Sequence, residues 1–209
     1  MNKNFERVLP EGYTEAMHID ARRKSFGIIF NLIAVGVLVA VVGLAALPLI
    51  LTDRWEEIFE IGYVDFLVLY AVGIISMIGY IVLHELVHGA AYKLLTGERL
   101  TFGMSWSCAF CGVPEIFVYK RAAMIAVAAP LVLFSLIFLP LMIWLYTASA
   151  AYYMLLAILM GLHLGGCSGD GYVILLLLFK FKDKRLLLRD TGPEQFFYLP
   201  AEGGCEDAA

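Results

Sequence analysis

Two histidines and a glutamate near the end of a long apolar stretch form the pattern His84-Glu85-Leu86-Val87-His88. Residues four apart lie about 40° apart around a helix, so both imidazoles can reach one metal ion. The glutamate beside the first histidine is then held close to a water molecule on that metal. The spacing predicts a zinc hydrolase site with His84 and His88 as metal ligands and Glu85 as the catalytic general base.

The sequence around this pattern strengthens the metal hypothesis. Residues 64–82, which lead into it, are almost uncharged. An ionisable group near the centre of a bilayer costs about 2.5–3.5 kcal/mol, so such groups usually have a function. The alternative is that the three side chains only form hydrogen bonds with neighbouring helices or headgroups. The apolar setting favours the metal.

The composition indicates a membrane protein. The chain has 209 residues, of which 61% are hydrophobic and only 16% are charged. These values favour one membrane-embedded helical bundle over a soluble domain. The formal net charge of −4 argues against a nucleic-acid partner, because no basic stripe is available to neutralise phosphates. No cleavable signal peptide is expected, since the first apolar run follows a polar segment and is too long.

The cysteines predict no disulfide framework of the small secreted kind. Cys108 and Cys111 form one C-x-x-C pair, which without a second pair is a weak metal or redox signal. The other two cysteines are Cys167 and Cys205.

Four apolar runs are long enough to cross a bilayer, so the predicted fold class is an all-α membrane protein with four transmembrane helices. The transmembrane catalytic bundle covers residues 26–180, and its spans are predicted at about 26–51, 64–95, 122–146 and 151–180. A cytoplasmic arm (1–25) precedes the bundle, a β-hairpin (98–120) joins spans two and three, and a cytoplasmic tail (181–209) with a disordered acidic end follows.

The predicted hairpin rests on a period of two in residues 101–110, where Phe102, Met104 and Trp106 share one face. Residues 116–119 are the expected returning strand. We expect the hairpin to lie at the membrane surface. Its strand could capture an unfolded peptide by backbone pairing, or it could be a simple interfacial element anchored by Trp106.

The distribution of Lys and Arg predicts the orientation. The arm carries five, the hairpin side four and the tail five, whereas the opposite side has only Arg54. By the positive-inside rule, both termini and the hairpin are cytoplasmic in this multi-pass cell-membrane protein.

A catalytic zinc needs a third protein ligand, and depth in the membrane suggests Asp170. His84 and His88 lie about 13 and 8 Å above Lys93 along span two, and Asp170 lies about 15 Å above Lys180 along span four. His163 ranks second, because it lies about 10 Å farther from the cytoplasm. Cys167 ranks third, and two acidic residues of the hairpin region, Glu98 and Glu115, are further options. The glycines around Asp170 predict a broken or closely packed helix.

The pattern His84-Glu85-x-x-His88 with Gly169-Asp170-Gly171 in a later helix resembles site-2 protease type intramembrane zinc metalloproteases. The resemblance implies that the later aspartate completes the zinc site. The Ala129-Pro130 pair is similar to a Gly-Pro element of that class, although the asparagine that often follows it is missing.

The chain also resembles a family of small prokaryotic membrane proteins known as putative zincin peptidases. This resemblance rests on His84-Glu85-Leu86-Val87-His88-Gly89, the Gly169-Asp170 pair, a Leu9-Pro10-Glu11-Gly12-Tyr13 opening and the Asp190-Thr191-Gly192 tail. It covers nearly the whole chain and implies a peptidase.

The sequence therefore predicts a zinc metalloendopeptidase, with Zn²⁺ as cofactor, that cleaves membrane proteins or peptides within or beside the lipid bilayer. The rival hypothesis is a non-catalytic zinc-binding adaptor or sensor derived from such a peptidase. Retention of Glu85 disfavours the rival, because a structural zinc site needs no base. The substrate, its cleavage site and the oligomeric state are open at this point.

Overall fold

The computed structural model of the protein describes residues 3–105, 109–183 and 185–201. The chain folds into two compact units. The first comprises Met1–Gly27, His84–Ala129 and Asp170–Ala209, and the second comprises Ile28–Leu83 and Pro130–Gly169.

Three helices are long and apolar enough to cross a membrane. They are α1 (Lys24–Leu51), α2 (Tyr63–Thr96) and α3 (Lys120–Ala148), and each begins and ends within two residues of a predicted span. A fourth apolar segment consists of α4 (Ala150–Gly166), α5 (Ser168–Leu175) and a π-helical turn (Leu176–Lys180). It bends by 40° at the break after α4, so the described residues contain three candidate spans, or four if the bent pair is one span.

The second unit packs α1 closely against α4. A Cβ atom at Gly161 would lie 2.7 Å from a methyl carbon of Leu38, and one at Gly165 would lie 2.7 Å from the carbonyl oxygen of Ala34. Glycines four residues apart allow such close backbone approach, which is common between membrane helices. Leu49 and Tyr153 are buried in an apolar cluster of the same unit. A short 3₁₀ turn at Glu56–Ile58 contacts α4, and its Ile58 packs against the cluster.

The first unit contains a five-stranded antiparallel sheet. Its strands are β1 (Phe5–Glu6), β2 (Tyr13–Asp20), β5 (Phe117–Tyr119), β6 (Leu187–Asp190) and β7 (Glu194–Pro200). Their order across the sheet is β1-β5-β6-β7-β2. Val118 pairs with Leu188, which pairs with Phe197, and all three side chains are fully buried. This row forms the centre of an apolar core that also includes Tyr92 from α2.

The all-α prediction is wrong about the two ends of the chain. The arm and the tail, for which the sequence pattern indicates no strand, supply four of the five strands in this sheet. The strands give little signal in the sequence because only one of the eight residues of β2 is buried and because its partner β7 lies far along the chain. Residues 202–209, with the predicted acidic end and Cys205, lie outside the described residues.

The predicted hairpin also has different strands. Residues 101–110 are not one strand but contribute to two, β3 (Thr101–Met104) and β4 (Ala109–Gly112), which pair antiparallel with Phe102 opposite Cys111. The expected returning strand, residues 116–119, is largely β5 and pairs with β1 and β6 instead. An alternating pattern fixes which face a residue occupies but not where the chain turns. The structure does not describe residues 106–108, which include Trp106 and Cys108.

Candidate metal centre

The last turns of α2 present two imidazoles to one point. The ring centres of His84 and His88 are 4.9 Å apart, with the ring planes at 77°. Both histidines are buried, with only 8% and 7% of their surface exposed. Their spacing of four residues places them on one face of the helix, as the sequence predicts.

Asp170 in the first turn of α5 lies beside both imidazoles. Its Oδ2 atom is 3.3 Å from Nε2 of His84 and 3.4 Å from Nε2 of His88. One ligand atom from each of these residues lies within 4.8 Å of the other two. All three residues belong to the first unit of the chain.

The second ring nitrogen of His88 shows which way the imidazole is oriented. Nδ1 of His88 lies 2.9 Å from the backbone oxygen of Ala126 in α3, a group that can only accept a hydrogen bond. Nδ1 therefore carries the proton in a neutral ring, and the lone pair of Nε2 points towards Asp170. Metal-binding histidines are usually held in this way by a second hydrogen bond.

Glu85 is partly buried and lies next to the hairpin. Its carboxylate accepts a hydrogen bond from the backbone N–H of Cys111 in β4. The hairpin is itself seated on α2, since a Cβ atom at Gly89 would lie 2.6 Å from the ring of Phe102. Strand β4 therefore borders the predicted general base.

The other two ligand candidates, His163 and Cys167, belong to the second unit and have contacts of their own. His163 is fully buried in the second unit, with Nδ1 3.0 Å from the hydroxyl of Tyr80 and Nε2 3.2 Å from that of Ser135. Cys167 lies 3.7 Å from Nδ1 of the same ring.

The two acidic candidates of the hairpin region, Glu98 and Glu115, do not lie in a metal-binding arrangement. Glu98 forms an ion pair with Arg7, in which their N and O atoms are 2.7 Å apart, and Glu115 is exposed. Neither residue belongs to a cluster that could hold a metal ion among the described residues.

The donor set fits a catalytic zinc ion. Two atoms bound at about 2.0–2.1 Å to one tetrahedral zinc are about 3.3 Å apart. The separations of 3.3 and 3.4 Å between the carboxylate oxygen and the two imidazole nitrogens match this value. Two histidines and one carboxylate also leave a fourth position open, as catalytic zinc sites require.

An H-E-x-x-H helix completed by a carboxylate from a later helix is the type of site used by zinc metallopeptidases. The family described as “Putative zincin peptidase” matches residues 77–186, just over half of the chain. The chain belongs to this family, and the matched range contains His84, Glu85, His88 and Asp170. No curated protein and no solved structure matches the chain.

Some contacts of the site could not be read from the sequence. The backbone oxygen of Ala126 and the backbone N–H of Cys111 carry no side-chain signal, because any residue supplies these groups. Tyr92 lies four residues after His88 and donates a buried hydrogen bond to Asp190, so helix spacing alone could have marked it.

Proposed function

We propose that this protein is a membrane-embedded, site-2 protease-like zinc metalloendopeptidase that hydrolyses peptide bonds of membrane-associated or membrane-spanning proteins. The observation that supports it best is the approach of Asp170 to both histidines of the H-E-x-x-H helix, at separations that suit one zinc ion. Family membership supports the same chemistry.

In this proposal His84, His88 and Asp170 hold the zinc ion. When bound, zinc polarises the scissile carbonyl group and lowers the pKa of water towards about 7. Glu85 takes a proton from the attacking water and passes it to the leaving amine. The Cys111 N–H keeps the Glu85 carboxylate oriented beside the site, and the Ala126 carbonyl keeps Nε2 of His88 available as a ligand atom.

The sheet supports four spans with both ends of the chain on one side of the membrane. Segments before α1, between α2 and α3, and after α5 all contribute strands to it. Strands of one sheet lie on one side of a bilayer, so the chain must cross an even number of times between them. Helices α1 and α2 supply two crossings. Helix α3 supplies a third, so the bent α4–α5 segment must supply the fourth. The excess of Lys and Arg on that side indicates the cytoplasm.

We also propose that the protein captures its substrate by backbone pairing. Because residues 101–110 form parts of two strands, the proposed capture site is the β3–β4 hairpin. The N–H of Cys111 points to Glu85, so Cys111 and its partner Phe102 form a pair that is not hydrogen-bonded across the hairpin. Pair types alternate along antiparallel strands, so Met104, two residues after Phe102, also directs its N–H to the outer edge of β3. A Met104→Pro variant should retain zinc and lose cleavage if this edge captures substrate. Unchanged cleavage would leave the hairpin a merely interfacial element.

The central test measures zinc per chain and proteolysis on the purified protein. The substrates are fluorescently labelled casein in detergent and a co-reconstituted single-span peptide in vesicles. We expect about one zinc per chain, lost in His88→Ala and Asp170→Asn and retained in Glu85→Gln. Glu85→Gln should lower turnover by at least about 10²-fold, the usual contribution of a general base.

Controls separate this ligand set from the alternatives. His163→Ala and Cys167→Ala should each retain zinc. Loss of zinc in either variant, with retention in Asp170→Asn, would contradict the assignment of Asp170. Zinc binding without cleavage of either substrate would favour the adaptor or sensor, and normal cleavage by Glu85→Gln would show that Glu85 is not the base.

A further inference from the structure

The turn Asp190-Thr191-Gly192-Pro193 at the end of β6 lies beyond the residues matched by the family, and the proposed chemistry does not use it. Asp190 is nevertheless a buried carboxylate, with 3% of its surface exposed. Its Oδ1 accepts a hydrogen bond from the N–H of Gly192 at 2.9 Å. A buried charge is expensive to maintain, so its contacts point to a role.

The first contact ties Asp190 to the metal-binding helix. Oδ2 accepts a hydrogen bond from the hydroxyl of Tyr92 at 2.8 Å, and Tyr92 is 1% exposed. Tyr92 follows His88 by four residues, so it lies on the face of α2 that carries both histidines. The side chain of Asp190 therefore holds the end of this helix.

The second set of contacts ties the same turn to β4. The backbone oxygen of Asp190 accepts the N–H of Val113 at 2.8 Å. A Cβ atom at Gly112 would lie 2.3 Å from the nitrogen of Gly192, and one at Gly192 would lie 2.4 Å from the ring of Phe110. Gly192 has φ of +98°, a conformation that favours glycine. The turn thus contacts Phe110 and Gly112 of β4 and the residue that follows this strand.

These contacts meet at Glu85. Glu85 lies in α2, and the hydrogen bond from Tyr92 links this helix to Asp190. The Glu85 carboxylate accepts a hydrogen bond from the N–H of Cys111 in β4, and the turn around Asp190 contacts the same strand. We propose that Asp190 is a positioning residue that sets β4 against α2, so that Cys111 holds Glu85 in the orientation needed for catalysis. This inference rests on the proposed function. Asp190 acts through Tyr92 and β4 and does not touch the metal ligands.

The test uses the reactivity of Cys111 as a reporter of β4. In the full chain with the other three cysteines replaced by serine, Cys111 is 7% exposed and should be alkylated slowly. Asp190→Ala should retain about one zinc per chain, alkylate about tenfold faster as β4 opens locally, and lower the maximal cleavage rate of labelled casein by about tenfold with little change in KM.

Tyr92→Phe is the milder second variant, because it removes only the hydroxyl that binds Asp190. It should also retain zinc, and it should speed alkylation and slow cleavage by smaller factors. Tyr119→Phe is the matched control, since it also removes a 2.8 Å hydrogen bond to a carboxylate, that of Glu6, in the same sheet. It should behave as the parent chain does.

Unchanged alkylation in both Asp190→Ala and Tyr92→Phe would overturn the proposal. Loss of zinc in parallel with faster alkylation would also overturn it, because Asp190 would then support the fold rather than the Glu85 side of the site. If the parent chain binds zinc but cleaves nothing, the proposed peptidase fails, while alkylation still decides whether Asp190 positions β4.

Discussion

At the scale of single residues, the centre depends on backbone groups as much as on side chains. The carbonyl of Ala126 orients His88, and the N–H of Cys111 contacts Glu85. Both come from elements other than α2, so the helix that carries the ligands does not orient them alone. Cys111 itself is a poor nucleophile, since burial raises the pKa of its thiol to about 12.

Asp190 gives a prediction about pH at this scale. Burial raises the pKa of its carboxyl group from 3.8 to about 6. The folded state thus binds this proton more tightly than the unfolded state. The contribution to stability is fully present below about pH 4 and is lost as the pH rises through about 6, a change of roughly 3 kcal/mol at most.

The comparison is wild type against Asp190→Asn, whose side chain cannot ionise. The unfolding temperature of wild type relative to the variant should fall as the pH rises from 4 to 7. A difference that does not vary with pH would show that Asp190 titrates at the same pH in both states. Because only the difference is used, groups common to both chains cancel.

At the scale of elements, close packing between helices decides which glycines are needed. Gly161 and Gly165 face α1 at distances that leave no space for a Cβ atom, whereas nothing lies within 4 Å of a Cβ atom at Gly43. The glycines of one membrane protein therefore differ in role although their sequence settings look alike.

Gly165→Ala should lower the unfolding temperature in detergent, because the new methyl group would meet the backbone of Ala34 at 2.7 Å. Gly43→Ala is the matched control and should be neutral or stabilising by up to about 1 kcal/mol, since alanine favours a helix. Equal effects of the two substitutions would contradict the close approach of α1 and α4.

At the scale of the whole molecule, the sheet links three separate parts of the chain. It predicts that the arm, the connection between α2 and α3, and the tail share one side of the membrane. Arg54 lies in the connection between α1 and α2, which should lie on the other side.

Single cysteines at Lys3, Glu115 and Arg54, in a chain without other cysteines, test this topology. With an impermeant thiol reagent on intact cells, only the cysteine at position 54 should be labelled, and inverted vesicles should give the opposite result. Labelling of position 3 from outside would contradict a cytoplasmic arm. Opposite sides for positions 3 and 115 would contradict the membership of β1 and β5 in one sheet.

The sequence by itself determined the features that depend on local spacing. Helix geometry relates His84 to His88 and places Glu85 beside them, and the length of an apolar run predicts a span because a bilayer has a nearly constant thickness. Depth along two helices also ranked Asp170 above His163, and in the structure Asp170 lies against both histidines.

Only the tertiary structure decided the features that depend on distant pairing. Strand β2 pairs with β7, and β5 lies between β1 and β6. The sequence of a strand of two to eight residues does not predict which other strand it pairs with. The same holds for the backbone groups of Ala126 and Cys111 and for the bond between Tyr92 and Asp190. His88 and Ala126 are 38 positions apart in the chain, and Tyr92 and Asp190 are 98 positions apart. Such contacts form because folding buries polar groups that must then find partners, and the partner is whichever group the fold brings near.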